Sequence, residues 1–581
     1  MEESPKRKEV KIDFSRDRRF FEQAGSSRVI TSGSLYMFFA LINAGCIWLF
    51  IILATGWAGL KYFGLTTALN GIIGLMGIGI SRYFIAEIKT AFIKNEELGH
   101  IKATTYSKIL FLVGVLIGLG LITMPFMFGF IITNQLLRQC IFASGFTSIL
   151  IYSNFVFQIG LQIKNRYDII AFLSIFNGIF LLISGSLFMF LNLNPFWFAF
   201  HPFFNITTLF LYIYFFHKQA PYTIRDILHA GLRTRTMKKR ASSEVKELIE
   251  EHQIILYMKN SIYSMLTNIQ NSKFFEDILF FFAAIYLAIF TGSDYQEFAI
   301  GVITVLMTYG AVKTVILYYA APLNIEIAEA YARKSFETVE ESINDSTRIT
   351  SILALGFLTA MVALSGKLLF FLHRDLFIDN MEPFLKIQVL FILIVLGQFM
   401  YGYSTLFGNA LIGSGKVNCA ARGFLITIII ITGLSPILIS LFGILGVGYV
   451  MVISALFLLP YTMIQIKKKL KVNYKIRIYR LIPNLIILFL FLISIPFYNT
   501  LSLFFGIVLG SLIYLFLNPF FGVSIPEDLQ MINDLFATLK LKFFGDLIVK
   551  AMKSTYNFSP FNNDKIILER NKLILVKKIK I

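Results

Sequence analysis

The chain has 581 residues, of which 56% are apolar and 15% charged, with a mean hydropathy of +0.71. That balance excludes disorder, a collagen-like fibre and a disulfide-stapled scaffold, and continuous apolar runs of about twenty residues exclude a spanning barrel, whose strands alternate. A net charge of +19 would raise nucleic acid as the partner of a soluble chain, but the stacking pattern of an RNA binder is absent, and in a membrane protein the excess belongs in cytoplasmic loops beside anionic headgroups.

Residues 1–31 form a basic, cytoplasmic amino terminus that opens Met1-Glu2-Glu3-Ser4-Pro5-Lys6-Arg7-Lys8 and does not read as a cleavable signal peptide. Six apolar runs follow within 32–216, at about 32–54, 65–86, 109–132, 140–162, 169–190 and 197–216. The inter-lobe linker 217–259 holds the cluster Arg233, Arg235, Lys238, Lys239 and Arg240. Beyond it, Val245, Leu248, Ile249 and Ile255 recur at helical spacing among glutamates, which reads as a short amphipathic helix or as a plain solvated linker. Six further runs fill 260–466, at about 260–290, 298–321, 349–372, 385–412, 423–441 and 446–466. An extra pair occupies 467–521, with runs at about 481–497 and 500–521. At about 1.5 Å per residue each run is long enough for about 30 Å of hydrocarbon. The cytoplasmic tail 522–581 carries an interfacial helix pattern after Pro526, in which Leu529, Ile532, Phe536, Leu539, Phe543, Leu547 and Ala551 are complemented by Lys540, Lys542 and Lys550.

Charge supports this count of about fourteen. With the amino terminus inside, the inner segments hold 46 of the 53 lysines and arginines, and the outer loops hold only Lys61, Arg138, Arg374 and Lys386. A wrong helix count would invert the bias downstream, so a multi-pass plasma-membrane protein with both termini cytoplasmic is predicted.

Ionisable residues inside spanning helices are the candidate site, because they are costly there and face a cavity or a partner. Only thirteen apolar residues run from Ile278 to Phe290, so the seventh helix must extend back through Lys273, Glu276 and Asp277. Lys273 and Asp277 are four apart and either pair with each other or serve a substrate or ion. Lys313 lies sixteen residues into the eighth run, roughly 22 Å from the outer face, and either snorkels or faces the interior. Arg82 has the same two readings at the inner end of the second helix. Asn43, Gln158, Gln162 and Asn177 read as interhelical hydrogen bonds. Cations at matching depth in the second helix of each half suit an anionic cargo such as a phosphate or pyrophosphate headgroup.

Other chemistry is missing. The outer loops leave no room for the acidic catalytic residues of lipid-linked sugar enzymes. Gly413-Ser414-Gly415-Lys416 is followed by Val417 and lacks the spacing of a phosphate-binding loop, and the six histidines form no HExxH. Cys46, Cys140 and Cys419 form no CxxC pair. Neither an enzyme, a cofactor nor a metal is expected.

The order of motifs across residues 26–466 resembles the polysaccharide/oligosaccharide flippase family of the multidrug/oligosaccharidyl-lipid/polysaccharide exporter (MOP) superfamily. The residues that carry the resemblance are Gly59-Leu60-Lys61-Tyr62-Phe63-Gly64 after the first helix, Asp277 before the turn Gly292-Ser293-Asp294-Tyr295, and Ala321-Pro322-Leu323 ending the eighth helix ahead of a charged helix through Ala330 and Lys334. Ala410–Lys416 and Phe442–Val447 complete the series. The resemblance implies an all-α polytopic protein with two six-helix lobes around a central cavity plus a terminal pair. It also implies that the first, second, seventh and eighth helices line that cavity, which draws in Arg82, Lys273 and Lys313 as substrate-binding cations and Asp277 or Glu276 as ion-coupling carboxylates. The interior of the first helix departs from the peptidoglycan-precursor members in lacking basic residues. The function expected is translocation of a polyprenyl-(pyro)phosphate-linked oligosaccharide by alternating access, with membrane lipids and glycosyltransferases or a polymerase of envelope synthesis as partners. A drug or metabolite antiporter is the second reading, and a scaffold acting through the inner loops the third.

Overall fold

The computed structural model describes residues 33–34, 37–39, 42–47, 49–50, 53, 84–93, 95–127, 135–164, 166–191, 206–228, 279, 283, 286, 302–303, 306–307, 312–372, 381–473, 478–496, 500–524, 542–557 and 559. Among them every regular element is helical, and the chain is an all-α, multi-pass membrane protein. Helical residues 84–93 lead to α1 (Glu96–Met127), α2 (Gln135–Ile163), α3 (Tyr167–Phe190), α4 (Ile206–Gln219) and the short α5 (Ile224–Leu228). The carboxy-terminal half holds α6 (Val312–Ala332), α7 (Phe336–Leu372), α8 (Met381–Gly413), α9 (Val417–Phe442), α10 (Ile444–Leu470), α11 (Ile482–Ser494), α12 (Thr500–Phe520) and α13 (Lys542–Asn557). Helical fragments within 33–53, 279–286 and 302–307 fall on the first, seventh and eighth apolar runs. Among the described residues seven helices are long and apolar enough to cross a bilayer, drawn from α1, α2, α3, α7, α8, α9 and α10. Their outer faces carry Leu116, Phe190, Ile429 and Leu441, all more than half exposed, the surface that lipid covers.

Local chemistry explains where these helices start and why they approach closely. Asn95 caps α1 by accepting from the backbone N–H groups of Glu97 and Leu98 at 2.8 and 3.2 Å, with Glu96 and Glu97 in the favourable first turn. Gly118 of α1 meets Gly145 of α2 backbone to backbone, so that a Cβ on either would lie within 3 Å of the other's carbonyl oxygen. Small residues permit such contact where lipid offers no hydrophobic drive between helices. Gly178 and Gly185 of α3 likewise take Asn43, Cys46 and Phe50 of the first helix. Gln158 donates to the Tyr212 hydroxyl at 3.0 Å and joins α2 to α4, as the spacing predicts. In the second half, Gly402 and Gly413 of α8 close on α6, and Gln398 donates to the Met307 carbonyl at 2.7 Å.

Three boundaries differ from the sequence reading. The eighth helix does not end at Ala321-Pro322-Leu323: α6 runs through Pro322 to Ala332 as one helix, and the charged segment is its continuation. Helices α1 and α7 both begin well before their apolar runs, at Glu96 and Phe336. Hydropathy registers the bilayer depth of a helix, whereas these extensions are polar-faced and buried against protein. The turns after Gly413 and before Ile444 stand where expected, with Gly415 (φ 75°) and Gly443 (φ 57°) in backbone conformations that favour glycine.

The terminal pair packs on α7. Lys367 donates to the Leu492, Ile493 and Ile495 carbonyls at 3.0, 2.9 and 2.6 Å, capping the end of α11. The Tyr514 hydroxyl of α12 donates to the Ile352 carbonyl at 2.6 Å, and Asn484 of α11 donates to Asn518 Oδ1 and the Tyr514 carbonyl at 2.8 and 3.0 Å. The expected tail helix is present as α13, which buries Val549 and Met552 against Leu515 and Phe516 of α12 and leaves Phe543 and Leu547 exposed. The start of that pattern, and the linker segment 244–255, lie outside the described residues.

Candidate functional site: the seam between the halves

Lys164, Arg166, Lys218, Arg333, Lys334, Lys416 and Lys467–Lys469 stand at helix ends or in the turns beside them, and the positive-inside expectation assigns these to one side, called here the basic end. Here the two halves meet through side chains. Lys89, on the helical stretch 84–93, places Nζ 2.8 Å from Glu329 Oε1 of α6. The two side chains are 11% and 9% exposed, so the pair is largely dry. Closer to the bilayer, Ser34 Oγ lies 2.8 Å from the Tyr319 hydroxyl, and Gly33 packs on the same ring. Tyr319 and Glu329 are ten residues apart, so the seam follows about 15 Å of α6.

Each wall has its own supports. On the amino-terminal side Lys102 of α1 donates to Glu87 Oε2 at 2.8 Å, the Tyr106 hydroxyl reaches the same oxygen at 3.4 Å, and Phe84 stacks on Tyr106 with centroids 4.0 Å apart. On the α6 side Asn324 and Glu326 are buried, with Ile325, Ile327 and Ala328 between them and Glu329. A buried ion pair gains strength from its low dielectric surroundings but leaves a costly charge behind if one partner is removed without access to water. The contact is thus strong while shut and separable only if water or another ion reaches both groups.

Of the residues singled out from sequence, Arg82, Lys273, Glu276 and Asp277 lie outside the described residues. Lys313, on α6, is half-buried, and its Cα would lie 3.3 Å from a Cβ at Gly402. Lys89, Glu329, Glu87 and Lys102 were not singled out. A signal existed for one side: Glu326 and Glu329 stand three apart in a stretch otherwise rich in Ile and Ala, which is the mark of a buried helix carrying a committed charge.

No protein-family model matches the chain, and no curated protein does. Solved structures do. The outward-facing conformation of a multidrug resistance MATE family transporter of the MOP superfamily superposes with a TM-score of 0.59 at 14% identity, covering 78% of this chain and 97% of that one. A MOP superfamily transporter from Pyrococcus furiosus, described as having a binding pocket of reverse polarity that suggests a different function, gives 0.53 at 14% identity, over 77% and 96%. A mutant MATE transporter of Vibrio cholerae gives 0.53 at 12% identity, over 78% and 97%. The chain has the fold of the MATE transporters of the MOP superfamily.

Proposed function

We propose that the chain is a flippase or exporter that carries a polyprenyl-(pyro)phosphate-linked oligosaccharide, or a related anionic glycolipid, across the cell membrane by alternating access. The observation that carries this reading is the seam: in a transporter fold, two halves that touch at the basic end through a dry but ionic contact have a closure that can open. The positive-inside bias supports a cytoplasmic basic end, and on this reading the seam closes the side where such a lipid is made. The head rests on Arg82, Lys273 and Lys313 while its polyprenyl tail stays in lipid, and Asp277 or Glu276 couples an ion to the cycle. An anionic cargo is supported by Lys313, which is half-buried and lies in the eighth apolar run of the sequence.

A cation-coupled drug or metabolite antiporter is the second reading, favoured by the multidrug resistance transporter with which the fold superposes. The neighbours are covered nearly end to end while about a fifth of this chain is left over, which supports a function needing more than their core. Reconstitution decides between them. Movement of a fluorescent polyprenyl-diphosphate sugar between leaflets, lost in Lys313→Ala and Asp277→Asn, supports the flippase. Cation-driven efflux of lipophilic dyes with no lipid movement supports the antiporter.

A further inference from the structure

We infer that α13 is a membrane-surface helix that docks on anionic phospholipid: Phe543 and Leu547 enter the acyl boundary, and Lys550 and Lys553 take the headgroup phosphates. The inference is independent of the cargo, so it stands or falls apart from either transport reading. Three observations carry it. The first is that α13 has two faces. Val549 and Met552 are buried against Leu515 and Phe516 of α12, whereas Phe543, Leu547, Lys550 and Ser554, spaced four, three and four apart, are all exposed. At about 3.6 residues per turn those four lie opposite the buried pair. The second is position. The 21-residue apolar helix α12 exposes Leu509 and Leu512 on the surface that lipid covers. Leu515 and Phe516 lie five and four residues, about 7.5 and 6 Å, before its end at Phe520, and the Ser559 hydroxyl, just past α13, donates to the Phe520 carbonyl. Helix α13 is therefore held against the last turns of a lipid-facing helix, where hydrocarbon gives way to headgroups. The third is charge: α13 holds Lys542, Lys550 and Lys553 against the single carboxylate of Asp546. Lys550, Lys553 and Asp546 are all exposed, so the exposed part is net positive.

Water alone does not suit a face on which Phe543 is 75% exposed, and the acyl region alone does not suit Lys550 and Lys553. A headgroup layer satisfies both, because apolar side chains enter the acyl edge while ammonium groups stay with the phosphates. The order along the helix fits that layer: the exposed apolar pair comes first, and the cations follow within the next two turns. Anionic lipid is preferred over zwitterionic lipid because charge attraction then adds to apolar burial. Since α13 packs on α12, and the Tyr514 hydroxyl of α12 bonds to the Ile352 carbonyl of α7, docking sets the height of the terminal pair in the bilayer and holds α7 at that height.

The test uses the full-length chain with its native cysteines replaced and a bimane label at Ser554→Cys, at the end of the exposed face. The protein is reconstituted in vesicles of phosphatidylcholine mixed with phosphatidylglycerol, and one lipid or the other carries bromine on its acyl chains as quencher. Brominated phosphatidylglycerol should quench the label about threefold or more strongly than brominated phosphatidylcholine at equal mole fraction. Lys550→Gln with Lys553→Gln should bring that ratio near one, whereas Lys550→Arg with Lys553→Arg should keep it, which separates charge from side-chain shape. Phe543→Ser with Leu547→Ser should weaken quenching by both lipids, and all these positions are exposed, so the packing on α12 is left intact. Absence of quenching by either lipid in the otherwise unaltered chain would mean that the face meets water or another protein, and would overturn the inference. Equal quenching by the two lipids would leave apolar contact without headgroup recognition and overturn it as well. A preference that survives the double Gln variant would take the phosphates away from Lys550 and Lys553, with the same result.

Discussion

Two contacts of this protein join large pieces of chain, and they are built differently. At the basic end the halves meet through Lys89 with Glu329 and Ser34 with Tyr319. At the terminal pair, α11 and α12 hold α7 through the Lys367 cap, the Tyr514 hydroxyl and the Asn484–Asn518 pair, beside packed Ile352, Leu364, Leu488 and Leu492. The first contact joins charged ends that water and headgroups can satisfy once it parts. The second ties backbone carbonyls and amides within an apolar cluster, where nothing replaces a lost partner. A joint that moves needs the former kind; a joint that must not move is served by the latter. The terminal pair is accordingly fixed to α7 of the second half.

The contrast is sharpened most by Lys367→Met. The substitution keeps the packing stem but leaves three carbonyls without their ammonium donor, and a charged hydrogen bond is worth about 2 kcal/mol once. With the end of α11 near an interface, partial rehydration limits the loss to about that figure, read as a lower unfolding temperature in detergent. Asn484→Leu comes next, at about 1.5 kcal/mol, since it strands Asn518 among apolar neighbours. Tyr514→Phe removes one hydrogen bond to Ile352 and keeps the ring against Gly356, for about 1 kcal/mol. If all three left unfolding unchanged while destroying transport, the pair would be a moving part and the comparison would fail.

Much of the helix layout could be read from the sequence, because about twenty consecutive apolar residues have one meaning in a bilayer. Every described helix from α1 to α12 except the short α5 overlaps an apolar run. What hydropathy missed lies outside the hydrocarbon. Glu96 to Lys108 precedes the third run, yet it belongs to α1 and supplies the buried Lys102. Pro322 reads as a stop, yet α6 passes through it because the helix is sheathed by protein on all sides. Lys89 and Glu329 are 240 residues apart, and nothing local in either segment names the other. Lys313 was found because a lysine inside an apolar run is conspicuous, whereas Lys89 falls in an ordinary basic stretch between two apolar runs.

The smallest expected effect on stability carries the most information. In a rigid interface, Glu329→Gln would take from the buried Lys89 its carboxylate across the seam, at a cost of about 3–5 kcal/mol. A seam that parts offers Lys89 a second state, in which its ammonium meets water or a headgroup phosphate. The substitution then changes which arrangement is populated and leaves the fold nearly as stable, with a loss under about 1 kcal/mol. Unfolding in detergent measures the stability, and the rate at which a maleimide modifies a cysteine placed at the buried Ser34, which meets Tyr319 across the seam, measures the opening. Slow unmodified unfolding with fast labelling is the signature of a gate. A loss of several kcal/mol with no rise in labelling would mean that the halves are cemented at this end, and that any movement between them happens elsewhere.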